Sequence, residues 1–270
     1  MSNIHPTAIV HESAKIDPSV RIGPYAIIGE DVEIGPGSTV GAHATVEFTK
    51  MGRENNLLPG CHVGGPPQDL KFEGEKAMLL MGDKNTVREC VTLNRGTKAT
   101  GTTAIGSGCL FMAYSHVAHD CRIGNGVVLV NSVGIAGHVE IGDFTVVGGL
   151  VGIHQFVRIG RFCMIGGGSM LGKDVPSFCM VQGDRATLRG LNLLGMRRAG
   201  LEREVVKGIK DAYKTLFLTN QSLEAALAQL KGSDPIAEVK EMIAFIETAQ
   251  NNRGVIRPAG AEPAEEKVTI

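Results

Sequence analysis

The residues best suited to chemistry in this chain are histidines set beside a carboxylate and beside glycines at a fixed interval. His116, His119 and Asp120 stand together in SHVAHDC, His138 follows Gly137 in GIAGHVEIG, and His154 precedes Gln155 in GIHQFVRIG. His119, Gly137 and Gln155 are separated by steps of 18 residues, and His116, Gly134, Gly152 and Met170 form a second series with the same step. An imidazole takes a proton from a hydroxyl near neutral pH, and an adjacent carboxylate orients the ring and stabilises the imidazolium. A glycine has no side chain over its backbone N–H, which is then available to an oxyanion developing on an acyl carbonyl. A general base with an oxyanion donor is the equipment of acyl transfer, with His119, Asp120 and Gly137 as its members. Clustered histidines also serve as zinc ligands, and a surface histidine is often only solvated. Residue type alone leaves these uses open.

A common step brings residues together only if the chain coils with that period. An aliphatic residue recurs at every sixth position from Ile4 through Val10, Ile16, Ile22, Ile28, Ile34 and Val40 to Val46, and again from Ile105 to Leu171, with Phe111 the one aromatic. The fourth place after each is small or apolar, as at Ala26, Val32, Ala44, Cys109 and Cys121. Six residues are too few for a helical pair and match the hexapeptide parallel β-helix, in which three hexads make one triangular coil. The glycines after the aliphatic residues, among them Gly23, Gly35, Gly124, Gly142 and Gly160, are read as serving corners with unusual backbone angles.

Residues one coil apart then lie about 4.8 Å from each other. His119, His138 and His154 converge on one edge of the prism with Gln155, and His116 and Asp120 lie at its lower end. The column of His116, Gly134 and Gly152 opens a trough that Met170 closes roughly three coils, or about 14 Å, above His116, a length suited to a medium fatty chain. The same glycines fit equally well as corner residues.

Between the two series the phase shifts and resumes at Met51, Leu57 and Val63, then at Met81, Val87 and Leu93, so the prism continues and two segments are expelled from it. They lie near 65–77 (GPPQDLKFEGEKA) and near 94–104 (NRGTKATGTTA), and loops thrown out of a rigid scaffold are where function is usually placed. After Val175 the period becomes helical. A helix is expected over 202–217 and another from Ser222, and Asp234-Pro235 reads as an N-cap followed by proline at the first position of a third. The expected organisation is an all-β prism over 1–188, a C-terminal α-helical domain over 189–257, and a disordered tail over 258–270.

A net charge of −1 over 270 residues argues against a nucleic-acid partner. No apolar run is long enough to span a bilayer, so no integral membrane segment is expected, and the start MSNIHPTAIV enters the first hexad at once, which argues against a signal peptide. Cys61, Cys109, Cys121 and Cys163 take interior hexad places and read as buried thiols of a reducing compartment, the cytoplasm.

The segments SHVAHDCRIGN, GIAGHVEIGDF, GGLVGIHQFVRIG and QGDRATLRGLNLLGMRRAG, with QDLKFEGE and TLNRGT, resemble the UDP-N-acetylglucosamine 3-O-acyltransferases of lipid A synthesis over residues 4 to about 257. The resemblance implies a left-handed β-helix, although parallel crossovers ordinarily favour the right hand. It also implies a homotrimer with sites in the clefts between neighbouring prisms, and a 3-hydroxyacyl chain passed from acyl carrier protein to UDP-N-acetylglucosamine. No metal is implied, and no cofactor beyond the carrier's own phosphopantetheine.

Carried over residue by residue, His119 matches the general base, Asp120 its carboxylate partner and Gly137 the oxyanion donor. Asp69, Lys71, His116, His138, His154 and Gln155 match positions that hold sugar nucleotide or acyl group. Asn192 and Arg198 match nucleotide contacts, where a guanidinium suits a diphosphate. Gly167 matches the position that sets chain length, and Met170 competes with it for that role.

Two positions depart from the family pattern. Asn94 stands in TLNRGT where histidine is common, which bears on whether the acceptor carries a 3-hydroxyl or a 3-amino group, and Ala199 follows Arg197 and Arg198 where a further arginine is common. The alternatives are the same transfer to a 3-amino sugar nucleotide and the later N-acyltransferase of the pathway, whose N-terminal uridine-binding domain has no counterpart here. Further off are a zinc hydratase of the carbonic anhydrase type and a β-helix scaffold without catalysis.

Overall fold

The computed structural model describes residues 3–250 and 252–260. Each hexad contributes a short strand whose aliphatic residue points inward, and the strands stack into three sheets of nine, eight and ten strands among the described residues. Pairing is parallel and advances one coil at a time: Ile9 pairs with Ile27, His116 with Gly134, Gly134 with Gly152 and Gly152 with Met170. The interior is one apolar column that includes Ile28, Leu57, Val87, Phe111, Leu129 and Ile165, all fully buried. Val10 departs from this pattern at 37% exposure, because its strand is the outermost of its sheet among the described residues.

The corners hold non-glycine residues in the left-handed backbone region, including Tyr25 (φ 57°), Asp120 (φ 60°), His138 (φ 61°) and Phe156 (φ 66°). The glycines that follow the aliphatic residues are needed for another reason than the one expected. None of Gly23, Gly35, Gly124, Gly142 and Gly160 has a positive φ. A Cβ on Gly142 would sit 2.5 Å from the backbone nitrogen of Arg161, and one on Gly23 would sit 2.9 Å from that of Ala42. The next coil runs too close for any side chain there.

The register marks the expelled loops. His62 pairs with Thr92 and Thr92 with His116, steps of 30 and 24 residues in place of 18. The extra chain leaves the prism between the strands His62–Gly65 and Met78–Met81 and between Thr92–Asn94 and Thr102–Ile105. Lys98 N donates to Glu75 Oε1 at 3.0 Å and joins the two loops.

Above the last coil the chain makes an antiparallel hairpin, Cys179–Gln182 with Thr187–Leu191, which extends the third sheet beyond the hexad pattern. Four helices follow among the described residues: α1 (Leu193–Arg198), α2 (Arg203–Phe217), α3 (Leu223–Gly232) and α4 (Ala237–Gln250). Ser222 caps α3 by accepting from Ala225 N at 3.2 Å. Asp234 does not cap α4: its φ of 46° turns the chain before Pro235, and the helix begins after Ile236, whose carbonyl accepts from Lys240 N at 2.9 Å.

The helices are fastened to the prism through two arginines. Arg158 pairs with the buried Asp174 at 2.9 Å, donates to Thr248 Oγ1 at 3.0 Å and lies over the Phe245 ring. Arg161 pairs with Glu241 at 2.8 Å. Pro258 is bridged to Leu188, so the first residues of the expected disordered tail are placed, and 261–270 lie outside the described residues. No helix is long and apolar enough to cross a membrane among the described residues.

Candidate active site

The coils that carry the histidines form the wall of a groove of about 1900 Å³. Its floor is Gly134, Gly137 and Gly152, the first expelled loop reaches over it with Asp69 and Lys71, and His116, His119, His138, His154, Gln155 and Met170 line it.

Asp120 sits beneath this surface at 4% exposure, held in its corner by the second loop. Its Oδ1 accepts from Thr97 N at 3.1 Å and from Thr100 Oγ1, and its Oδ2 accepts from Thr97 Oγ1 at 2.7 Å. Its own N–H donates to Thr103 Oγ1 at 2.8 Å. Burial alone would raise the carboxyl pKa, but the hydrogen bonds from Thr100, His119 and Thr97 outweigh it and hold the group below the ordinary carboxylate value. Asp120 is therefore ionised. His119 Nδ1 lies 2.8 Å from Asp120 Oδ2, and an ionised carboxylate only accepts, so Nδ1 carries a proton, and in the neutral ring Nε2 is the free base.

The ring of His119 is 13% exposed and lies directly under Gly137, whose N–H has no acceptor among the described residues. His138 stands edge-on to His119, with centroids 5.2 Å apart, and stacks on Phe156 at 4.6 Å. His116 accepts or donates at Nδ1 to Thr92 Oγ1 at 2.7 Å; burial, and then the nearby His119, push its pKa down, so it faces the groove neutral.

Cys121 adjoins this cluster in sequence but points into the prism, where burial pushes its thiol up to about 12. Its thiol stays protonated at neutral pH and is no nucleophile.

His119, Asp120 and His138 offer ligand atoms within 4.8 Å of one another, the grouping that a metal would need. The contact between Nδ1 and Oδ2 is a hydrogen bond, and the same oxygen is already held by Thr97. The third histidine of a zinc reading, His154, turns its Nδ1 to the Arg253 guanidinium, which would repel a cation. The donor set suits a hydrogen-bonded base better than an ion.

The family model described as "Udp N-acetylglucosamine O-acyltransferase; Domain 2" matches residues 174–256, and that described as "Bacterial transferase hexapeptide (six repeats)" matches 13–47 and 102–137. An acyl-[acyl-carrier-protein]--UDP-N-acetylglucosamine O-acyltransferase of Thermodesulfovibrio yellowstonii is 45% identical over 260 residues, covering 95% of this chain and 100% of the relative. The chain belongs to the UDP-N-acetylglucosamine O-acyltransferase family. A protein of the same name from Anaeromyxobacter sp. is 47% identical over 77% of this chain and 81% of its own length. The solved UDP-N-acetylglucosamine acyltransferase of Francisella novicida superposes with a TM-score of 0.91 at 34% identity, covering 98% of this chain and 100% of the other. As a member of the UDP-N-acetylglucosamine O-acyltransferase family the protein is an acyltransferase, and its prism is the left-handed β-helix that the resemblance implied.

Three residues that the resemblance pointed to stand away from the groove within one chain. Asn192 caps α1, accepting from Gly195 N at 3.0 Å and donating to Phe162 O at 3.0 Å. Arg198 is exposed in the last turn of α1, and Gly167 lies at the corner between the third and first sheets.

Sequence reading missed several others. Phe156 was within reach of the 18-residue step from His138. Thr97 and Thr100 were not, because their loop has left the repeat. Arg253, which lines the groove from the segment after α4, carries no periodic signal at all.

Proposed function

We propose that the chain transfers a 3-hydroxyacyl group from acyl carrier protein to the glucosamine 3-position of UDP-N-acetylglucosamine, the opening step of lipid A synthesis. The observation that carries this reading is the pairing of His119 Nδ1 with Asp120 at 2.8 Å, which in the neutral ring makes Nε2 the free base beneath the uncovered amide of Gly137. His119 Nε2 takes the proton of the 3-hydroxyl as its oxygen attacks the thioester carbonyl. The Gly137 N–H donates to the oxyanion so formed. Collapse breaks the C–S bond, and the departing phosphopantetheine sulfur takes the proton back from His119. Asp120 stabilises the imidazolium between these steps.

A homotrimer completes the site in this reading. Asn192, Arg198 and Gly167, remote from the groove of their own chain, would meet substrate in the cleft with a neighbouring copy. Five buried thiols, those of Cys61, Cys109, Cys121, Cys163 and Cys179, suit a reducing compartment, and we place the enzyme in the cytoplasm.

A 3-amino acceptor is the second reading. Asn94 stands where histidine is common, and its buried Oδ1 has no partner among the described residues, an acceptor to which a hydroxyl or an amine could donate. The test presents a ladder of 3-hydroxyacyl carrier proteins with UDP-N-acetylglucosamine or its 3-amino analogue and weighs the products by mass spectrometry. An ester product supports the first reading, an amide the second, and neither product defeats both. One zinc per site in purified protein would favour the hydratase instead.

A further inference from the structure

We infer that Arg253 is a positioning residue that fixes His154 as its Nε2–H tautomer, so that the groove presents one imidazole as proton acceptor and another as hydrogen-bond donor. A guanidinium has donors only. Arg253 Nη2 contacts His154 Nδ1, and Arg253 Nε donates to Gln155 O at 3.1 Å. Nδ1 must therefore be the bare nitrogen. Gln155 O also lies 3.2 Å from Nδ1, but a proton on Nδ1 would collide with the guanidinium N–H held against that same nitrogen, so Nδ1 accepts from Arg253. The neutral ring then carries its proton on Nε2. The neutral ring of His119 is the opposite tautomer, with its proton on Nδ1 toward Asp120.

The arginine is held from both sides. Asp174 N donates to Gly254 O at 2.8 Å and Ile256 N to Asp174 O at 2.9 Å. Asn252 Nδ2 donates to Phe156 O at 3.0 Å. Val255 and Ile256 are buried. A segment so fastened keeps the guanidinium on His154 with little rotational cost.

The ligand group this donor selects is an oxygen with a free lone pair, a hydroxyl, carbonyl or phosphate oxygen of either substrate. Which substrate supplies it rests on the acyl-transfer reading; the tautomer does not.

The full-length protein labelled with 15N-histidine gives the tautomer of each ring from its two-bond 1H–15N couplings, with His154→Gln assigning the signal. In the wild type His154 should be the Nε2–H form. Arg253→Ala should lose that preference, and Arg253→Lys, which keeps a cationic donor, should retain most of it.

Arg253→Ala should also raise KM by about 2- to 12-fold, the range of one neutral hydrogen bond, with kcat changing less. A rise for the sugar nucleotide assigns the oxygen to the acceptor, and a rise for the acyl carrier protein assigns it to the donor. A wild-type Nδ1–H tautomer, or a tautomer unchanged in Arg253→Ala, overturns the inference. An unmoved KM for both substrates overturns the role in binding. Failure of the acyl-transfer reading would appear separately, as absence of product from the wild type.

Discussion

The ring of His119 occupies the space that a side chain on Gly137 would need. A Cβ built on Gly137 falls 2.6 Å from Cε1 and 2.8 Å from Nε2 of that ring, the nitrogen that Asp120 does not hold. The glycine thus does two things at once: it uncovers its own N–H and leaves the base room to stand beneath it.

Gly137→Ala separates those two effects from backbone strain, because Gly137 does not have a positive φ and alanine fits its backbone. The methyl group must push the His119 ring aside against its hydrogen bond to Asp120. A displacement of about 1 Å at a reacting group costs roughly 10²-fold in rate. We expect kcat to fall by that order with thermal stability nearly unchanged, measured by steady-state kinetics and a melting curve. A kcat close to wild type would mean that His119 does not need this position.

His119→Ala removes the base itself. Its side chain projects from the prism, so the fold should survive, and turnover should drop by about 10² to 10⁴. Single-turnover rates with acyl carrier protein substrate check the size of the loss. Activity within tenfold of wild type would pass the role of base to another residue, with His116 and His138 the nearest candidates.

Asp120 links the site to acid stability. Its pKa in the fold lies below the ordinary 3.8, so the folded state holds the proton less tightly than the unfolded chain does. Its contribution to stability is therefore complete above pH 3.8, falls as the pH drops from there through the lowered value, and is absent below it. The stability difference between wild type and Asp120→Asn, from urea unfolding, should be flat from neutral pH down to that window and shrink within it. A difference that stayed constant into strong acid would show that the carboxylate charge is not what the second loop holds.

Much of this was legible in the hexads, and the physical reason is rigidity. A coil of constant length converts sequence separation into height, so the placing of Gly137 over His119 could be read by adding 18. The same arithmetic fails wherever the chain leaves the prism. Thr97 and Thr100 meet Asp120 across separations of 23 and 20 residues that no repeat encodes. Arg253 reaches His154 from 99 residues away through a helical domain whose docking depends on Arg158 and Arg161. The corner glycines show the converse: their positions were plain, but their cause lies in the backbone of the next coil, which the residues themselves do not display.

The acyl-length prediction sets Met170 against Gly167. Met170 is half exposed and leans over Gly152, since a Cβ there would meet its Sδ at 2.7 Å, so it closes the column of His116, Gly134 and Gly152 within the chain's own groove. That trough of roughly three coils at about 4.8 Å each suits a chain of about 10 to 14 carbons. Gly167 does not line this groove, so in the homotrimer proposed above it would act from the cleft with a neighbouring copy. If Met170 is the stop, Met170→Gly should move the preferred donor to a longer chain while leaving the chemistry at His119 intact. If Gly167 is the stop, Gly167→Met should shorten the preference and Met170→Gly should do little. A Cβ on Gly167 falls 3.3 Å from Gly149 O, so the fold of that variant is checked by its melting curve before its selectivity is read. Both variants are assayed on one ladder of 3-hydroxyacyl carrier proteins. We expect the shift at Met170, and no shift in either variant would put the acyl chain on another face of the cleft.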